Sequence, residues 1–351
     1  MDFAMSPEQR ELQAQARSFL EVRFPLSRMA QLADSEVGWD PDSWRELGEL
    51  GWLGVSAPES LGGAGLGFLE EAIVLEELGR CLYAGPYLAT VALALPALDD
   101  ARRAKVASGG QRWSAALWQP DGPVPDLDRV DQVVVAVDDQ LLAVDPKGER
   151  LSSIDPTRTL GRLLSSAGES LHRGEEAARI TRVMHLRLWT ALAIEAVGGA
   201  QRVLELAVDH ARTREQFGRP IGSYQAVAHP LADSYVEVEL ARSLAYWAAW
   251  CLSVDHQDSA IAASAAKAAA AEAYVRACER TIQALGGIGF TWESPVHHYY
   301  KRALWIEAFA GRPRQHRAQV AVHLGLNPYE SSVQAAGASQ QVGPNRTASA
   351  A

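Results

Sequence analysis

The second half of the chain sets the terms for the fold. Between about Glu175 and Gly325 it carries alanine- and leucine-rich stretches with apolar residues at helical spacing, over roughly 176–213, 222–253, 257–286, 294–309 and 313–325. Helices of this length joined by short loops must bury their apolar stripes against one another, which predicts a C-terminal four-helix bundle. Residues 6 to about 100 also read as helical. Ser6, Pro7 and Glu8 offer a cap and first turn for a helix running to about Leu32, and a second helix follows Asp40-Pro41. A third, preceded by the glycine-rich loop Pro58 to Gly67, ends near Gly79. Between about 106 and 172 the pattern changes to short apolar or β-branched runs, Trp113 to Trp118, Gln132 to Val137 and Gln140 to Val144, separated by Pro, Gly and Asp. The expectation is a mainly α fold with a small β domain, of the α+β class. Its order is an N-terminal helical domain over 1–105, a middle β domain over 106–172, the bundle over 173–327, and a disordered tail over 328–351.

Composition narrows the function. A net charge of -10 with no Lys/Arg run excludes a nucleic-acid binder, which needs a basic stripe to displace counterions. Cys81, Cys251 and Cys278 are widely spaced, so neither a disulfide framework nor a zinc site is indicated and a reducing cytoplasm is expected. The start, MDFAMSPEQRELQAQ, lacks the basic and apolar regions of a signal peptide. The uncharged run Cys81 to Leu98 is interrupted by Pro86 and Pro96, which leaves too short a helix to cross a bilayer; it reads as a buried core helix. The glycine-rich loop has no Walker lysine and no flanking strand, so it reads as an interhelical turn.

Three groups of motifs carry a resemblance. The first is Trp44-Arg45-Glu46-Leu47-Gly48 with Gly51-Trp52-Leu53-Gly54, Pro58-Glu59, Gly62-Gly63-Ala64-Gly65 and Glu76-Glu77-Leu78-Gly79-Arg80. The second is RTREQFGRPIGSYQAVAH, Arg212 to His229, and the third is QALGGIGFTWESPVHHYYKRALWIEAFAGRPRQHR, Gln283 to Arg317. In this order they resemble the acyl-CoA dehydrogenase family over nearly the whole chain. The resemblance implies FAD as cofactor and an acyl-CoA thioester as substrate. It also implies that Arg214, Gln216 and Phe217 reach a neighbouring subunit's FAD, with Gln283, Gly286, Gly287 and Gly289 forming the second half of that site. An arginine fork suits phosphate oxygens, and glycines free backbone amides for an anion. The middle domain is shorter than the family's usual one and lacks its Thr-Glu-Pro-like and Trp-Ile-Thr segments; Ala115-Ala116-Leu117-Trp118-Gln119-Pro120 is at best a remnant.

The catalytic base is the point of departure. Where the family commonly reads Y-E-G-T, this chain reads Phe309-Ala310-Gly311-Arg312, so the usual carboxylate is Ala310. The family's alternative base position, near the start of the first bundle helix, falls on Leu188-Trp189 or, shifted by two, Leu186-Arg187; neither supplies an acid. Desaturation needs a positioned group to take the Cα proton. Glu307, three residues before Ala310, is a weak candidate for a relocated base; Glu195 is weaker, and both fit a solvated or salt-bridged role better. His210 and His229 fall in the bundle and His297-His298 in a loop, none at metal-ligand spacing, so no metal is expected. The resemblance points to a base-less subunit of an α2β2 heterotetramer, completing the FAD site of a catalytic sister chain that acts on a CoA thioester, one attached to a steroid side chain in some actinobacterial members. The alternatives are an autonomous FAD-dependent dehydrogenase with a relocated base, and a non-enzymatic CoA- or acyl-binding scaffold.

Overall fold

The computed structural model describes residues 4–117 and 122–326. The expected disordered tail and the Trp118-Gln119-Pro120 part of the remnant segment lie outside the described residues.

The N-terminal helices are α1 (Pro7–Arg23), α2 (Leu26–Ala33), α3 (Pro41–Glu49) and α4 (Phe68–Arg80). Ser6 caps α1 with a reciprocal Ser6/Gln9 capping box, and Asp40 caps α3. The single helix expected to Leu32 is two helices, because Pro25 has no N–H to donate and fixes an extended entry to α2. The buried run after Cys81 is not one core helix either. The chain turns at Leu82, whose φ is 55°, before a π-helical stretch over Leu88–Ala94 and a short 3-10 turn over Leu95–Ala97. Its side chains are buried apart from the half-buried Pro96, and among the described residues no helix is long and apolar enough to cross a membrane. A further short helix, α5 (Asp100–Ala107), capped by Asp99, was not anticipated.

The β unit contains the three expected strands and four others. β1 (Trp113–Ala116), β3 (Gln132–Val137), β4 (Gln140–Val144) and β7 (Glu169–Arg173) form one sheet in the order β1-β3-β4-β7, parallel only between β1 and β3. β2 (Val124–Pro125), β6 (Leu160–Leu163) and β5 (Gly148–Leu151) form a second, antiparallel sheet. β5 is mostly exposed and β7 half-buried with exposed ends, and both carry polar residues such as Glu149, Arg150, Glu169 and Arg173, which is why apolar patterning missed them.

The bundle is α6 (Gly174–Thr213), α7 (Gln225–Ser253), α8 (Ser259–Leu285), α9 (Val296–Ala308) and α10 (Pro313–His323), each within a few residues of expectation. At 40 residues α6 spans roughly 60 Å and runs through the core. Its Gly198 sits so close to α4 that an added Cβ would lie 2.0 Å from the Glu76 carbonyl oxygen. Between bundle, β unit and N-terminal helices lies a buried ionic junction. Arg302 of α9 bonds Asp155, Glu195 of α6 and, at 2.6 Å, the Thr157 hydroxyl, while Arg158 also bonds Glu195. Asp126 and Arg129 pair at 3.2 Å beside it.

Candidate functional site

The Arg212 to His229 motif folds as a small protruding hairpin at one end of the bundle. β8 (Glu215–Gln216) pairs with β9 (Arg219–Pro220), and Phe217 and Gly218 between them have φ of 54° and 78°. Two successive left-handed residues make the type I′ turn that matches strand twist, which presents Phe217 outward at 93% exposure. The hairpin is braced from within its own chain: the Tyr224 hydroxyl donates to the Gln216 carbonyl at 3.1 Å, and the Arg219 guanidinium lies 4.0 Å from the Tyr224 ring centre. Arg214 anchors the base through its backbone, donating to His210 and accepting from Ile221 at 2.8 Å each. Its guanidinium is exposed and has no partner among the described residues. Partial burial and the Arg214 charge hold His210 below the ordinary histidine range.

The glycine motif joins the hairpin at the same end. Ala284 packs on a cluster of Leu204, Ala207, Ala211 and Leu231 that also contacts Ile221 just past the hairpin. α8 stops at Gly286, with φ of 65°, and a 3-10 turn follows over Gly286–Phe290. Gln283, Gly286 and Gly287 are exposed, and a Cβ at Gly286 or Gly287 would meet no atom, so the surface there is open. Gly289 differs: it is buried, and a Cβ there would come 2.7 Å from the Ile282 carbonyl oxygen. It shapes the turn and does not face outward.

Ala310 lies far from this surface, in the link between α9 and α10. Its φ is 60°, a left-handed backbone on a residue that has a Cβ. The Ala310 carbonyl is 3.2 Å from His316 Nε2, and the Gly311 carbonyl accepts from Lys267 Nζ at 3.1 Å. Trp189 packs edge-on to His316 with ring centres 4.9 Å apart. The two vacant base positions are therefore neighbours in space, with His316 between them. Above them opens a cavity of about 1140 Å³, walled by the β3–β4 turn, α6, α8 and α10, with Leu186 and Trp189 in its lining. Arg187 is engaged elsewhere, paired with the buried Glu71 at 2.8 Å. Burial pushes Glu71 above the usual carboxylate range despite that pairing.

Neither spare carboxylate is presented to the cavity. Glu195 is buried in the ionic junction; burial pushes it up, but Arg158 and Arg302 outweigh this and hold it below the usual range. Glu307 is half-buried and does not line the cavity; its field acts on Lys267. His297 and His298 lie in the first turn of α9 and not in a loop, with ring centres 3.9 Å apart. Among the described residues no group of three or more His, Cys, Asp or Glu side chains is arranged to hold a metal.

Sequence reasoning passed over Lys267 and His316. Both had a signal. Lys267 interrupts the run SAAKAAAAEA on the small-residue stripe of α8, and His316 falls one turn into the helix after Ala310.

A helical bundle carrying this hairpin, this glycine turn and this α9–α10 link makes the chain a member of the acyl-CoA dehydrogenase family. The family's N-terminal domain model matches residues 6–100 and its C-terminal domain model residues 176–325. The chain is 36% identical to the acyl-CoA dehydrogenase IpdE2 of Mycobacterium tuberculosis, over 88% of this chain and 95% of that one. Among solved structures it is similar to the ChsE4-ChsE5 complex from Mycobacterium tuberculosis, with TM-score 0.83, 26% identity, and 93% and 100% of the two chains covered. It is also similar to a variant of the Tcur3481-Tcur3483 steroid ACAD, with TM-score 0.80, 28% identity, and 95% and 99% covered. FAD is the family's cofactor, and the exposed Arg214 guanidinium, unpartnered among the described residues, together with the open surface at Gly286 and Gly287 fits its phosphates, although the Gly286 N–H is itself taken by the Ile282 and Gln283 carbonyls.

Proposed function

We propose that this chain is the base-less subunit of a heteromeric acyl-CoA dehydrogenase, and that its hairpin end completes the FAD site of a sister subunit bearing the catalytic carboxylate. One observation carries the reading. Arg214 lies roughly 37 Å along α6 from Trp189 at the cavity, so the hairpin serves a site outside its own cavity. Under this reading Arg214 and Gln216 hold the pyrophosphate side, Phe217 gives an apolar face to the adenine side, and Gln283 with the open Gly286-Gly287 turn forms the second half of the site. Gly289 keeps the turn in shape. When bound, FAD supplies the hydride acceptor for α,β-desaturation of an acyl-CoA thioester. The Cα proton still needs a protein base, and Ala310, Leu186, Leu188 and Trp189 provide none. The similarity to chains from the ChsE4-ChsE5 complex and from a steroid ACAD supports an α2β2 assembly and a steroid-derived acyl group.

Co-expression with a base-bearing sister chain, followed by native mass and flavin-to-protein ratio, tests the assembly. The expected result is two flavins per heterotetramer and little flavin on this chain alone; full flavin and turnover from the pure homomer would overturn it. In the complex, Arg214→Ala should weaken FAD binding about 10- to 100-fold, the loss of one charge-assisted phosphate contact of about 1.5–3 kcal/mol. An unchanged flavin content would favour the scaffold alternative.

A further inference from the structure

Lys267 is out of keeping with the other buried charges. Every other buried Asp, Glu or Arg among the described residues has an opposite charge at 3.2 Å or closer, from Glu71 with Arg187 to Arg80 with Glu205 and Asp126 with Arg129. Lys267 is fully buried, and among the described residues no carboxylate lies within ion-pair distance of it. Its one hydrogen-bond partner is the Gly311 carbonyl at 3.1 Å. An ammonium has three donors, and among the described residues only one of them is taken. A buried charge left in this state is costly, and such groups are normally paired or neutralised.

The position of Lys267 says what the free donors are for. Ala260, Ile261 and Ser264 of α8 line the cavity, and Lys267, which does not itself line it, follows on the same stripe one turn behind Ser264, about 4.5 Å further along the axis. On α10, Gln319 and His323 line it and His316 continues inward in the same way. Trp189, packed on His316, closes that end. The walls above are largely apolar, with Leu117, Ala177, Leu186 and Ile261 among them.

We propose that Lys267 marks an anion subsite at the inner end of this cavity, taken by the carboxylate of an apolar organic acid whose body fills the space above. This goes beyond the base-less reading, which places the chemistry in the sister subunit and assigns this cavity nothing. Burial pushes the Lys267 amine down to about 7, with the Glu307 field opposing, so a bound carboxylate recruits a proton near neutrality. His316 is pushed down to about 4, by burial first and by the Lys267 charge second, and stays neutral throughout. The charged or titratable groups lining the cavity are Arg182, His185 and His323 further out and Asp138 and Asp139 at the β3–β4 turn, while Glu307 on α9 does not line it and acts on Lys267 only through its field.

The sign follows. Anion binding favours the ammonium, so affinity for a carboxylate is highest below pH 7 and falls about tenfold per unit above it. Calorimetry with decanoate and decan-1-ol at pH 6.0 and 8.5, on the full chain in the assembly it forms, decides the matter. Decanoate should bind at least tenfold more tightly than the alcohol at pH 6.0 and lose that preference at pH 8.5. Lys267→Met should remove the preference and its pH dependence while leaving decan-1-ol binding unchanged, which separates Lys267 from Arg182 and His323. Equal binding of acid and alcohol by the wild type, binding of neither, or a preference that survives Lys267→Met would each overturn the proposal. Should Lys267→Met fail to fold, the wild-type comparison still decides it. The measurement needs neither flavin nor turnover, so its failure and that of the base-less reading are told apart.

Discussion

The two ends of the bundle present opposite faces of one ancestry. At the hairpin end, Arg214, Phe217 and the Gly286-Gly287 turn are exposed and held by backbone contacts, and the Arg214 guanidinium has no partner among the described residues. At the cavity end, Lys267 and His316 are buried and hold the Gly311 and Ala310 carbonyls respectively, and position 310 carries no acid. α8 joins them: Lys267 and Gly286 lie roughly 28 Å apart along its axis. A distance of that order lets the two ends change independently, because substitutions without shared partners act almost additively. Position 310 can therefore lack a carboxylate while the surface proposed to bind FAD keeps its form at the other end.

The largest blow to this contrast is Arg302→Leu. Arg302 holds Asp155 of the β unit and Glu195 of α6, and its loss strands Asp155 as a buried carboxylate. Burial pushes Asp155 up, but Arg302 and Thr157 now outweigh that and hold it below the usual range. Removing one partner of such a pair costs about 3–5 kcal/mol, to be read by urea unfolding. Amide exchange should quicken in β3 and β4, which wall the cavity, and stay unchanged in the 215–220 hairpin. Equal quickening at both ends would break the claim that they are independent.

A smaller effect probes the cavity end alone. Ala310 keeps a φ of 60°, which costs an L-residue about 1–2 kcal/mol, while glycine there would cost only its extra unfolded-state freedom. Ala310→Gly should thus stabilise the chain by about 0.5–1 kcal/mol, and Ala310→Val should destabilise it. If Ala310→Gly is neutral or destabilising, the link is not strained.

How far this contrast was legible depended on what kind of signal each end leaves. The five bundle helices and strands β3 and β4 follow from apolar period, and Phe217-Gly218 and Gly286 mark their turns by composition. Absence of an acid at 310 is equally plain in the sequence. What periodicity cannot carry is contact between remote segments. Trp189 and Ala310 meet only through His316, and Lys267 reaches Gly311 from a helix that looks like featureless alanine. The break at Pro25 was missed for a different reason, since apolar spacing runs on either side of it and only the missing N–H stops the helix. Placement of Glu195 had the same limit: an acid inside an apolar helix states that a partner is needed and not that Arg158 and Arg302 supply it.

The smallest expected effect is also the one that separates Glu307 from catalysis. Glu307→Gln should leave turnover of the complex and flavin content unchanged, because the side chain does not line the cavity. Abolished turnover would instead revive the autonomous enzyme. Its one predicted trace is electrostatic. Lys267 titrates at about 7 in the folded chain and near 10.4 when unfolded, so between those values the unfolded state binds the extra proton. Stability contributed by this group therefore rises with pH, by at most about 1.4 kcal/mol per unit, from about 7 upward. Glu307 favours the ammonium, so replacing it lowers the folded value further and moves the start of that rise to lower pH. At pH 7 the resulting loss should be a few tenths of a kcal/mol, the size of a screened, partly exposed charge interaction. The difference between Glu307→Gln and wild type, followed by urea unfolding from pH 6 to 9, should vanish in a Lys267→Met background. A difference that persists there would place the Glu307 partner elsewhere and remove Lys267 from the account of the cavity end.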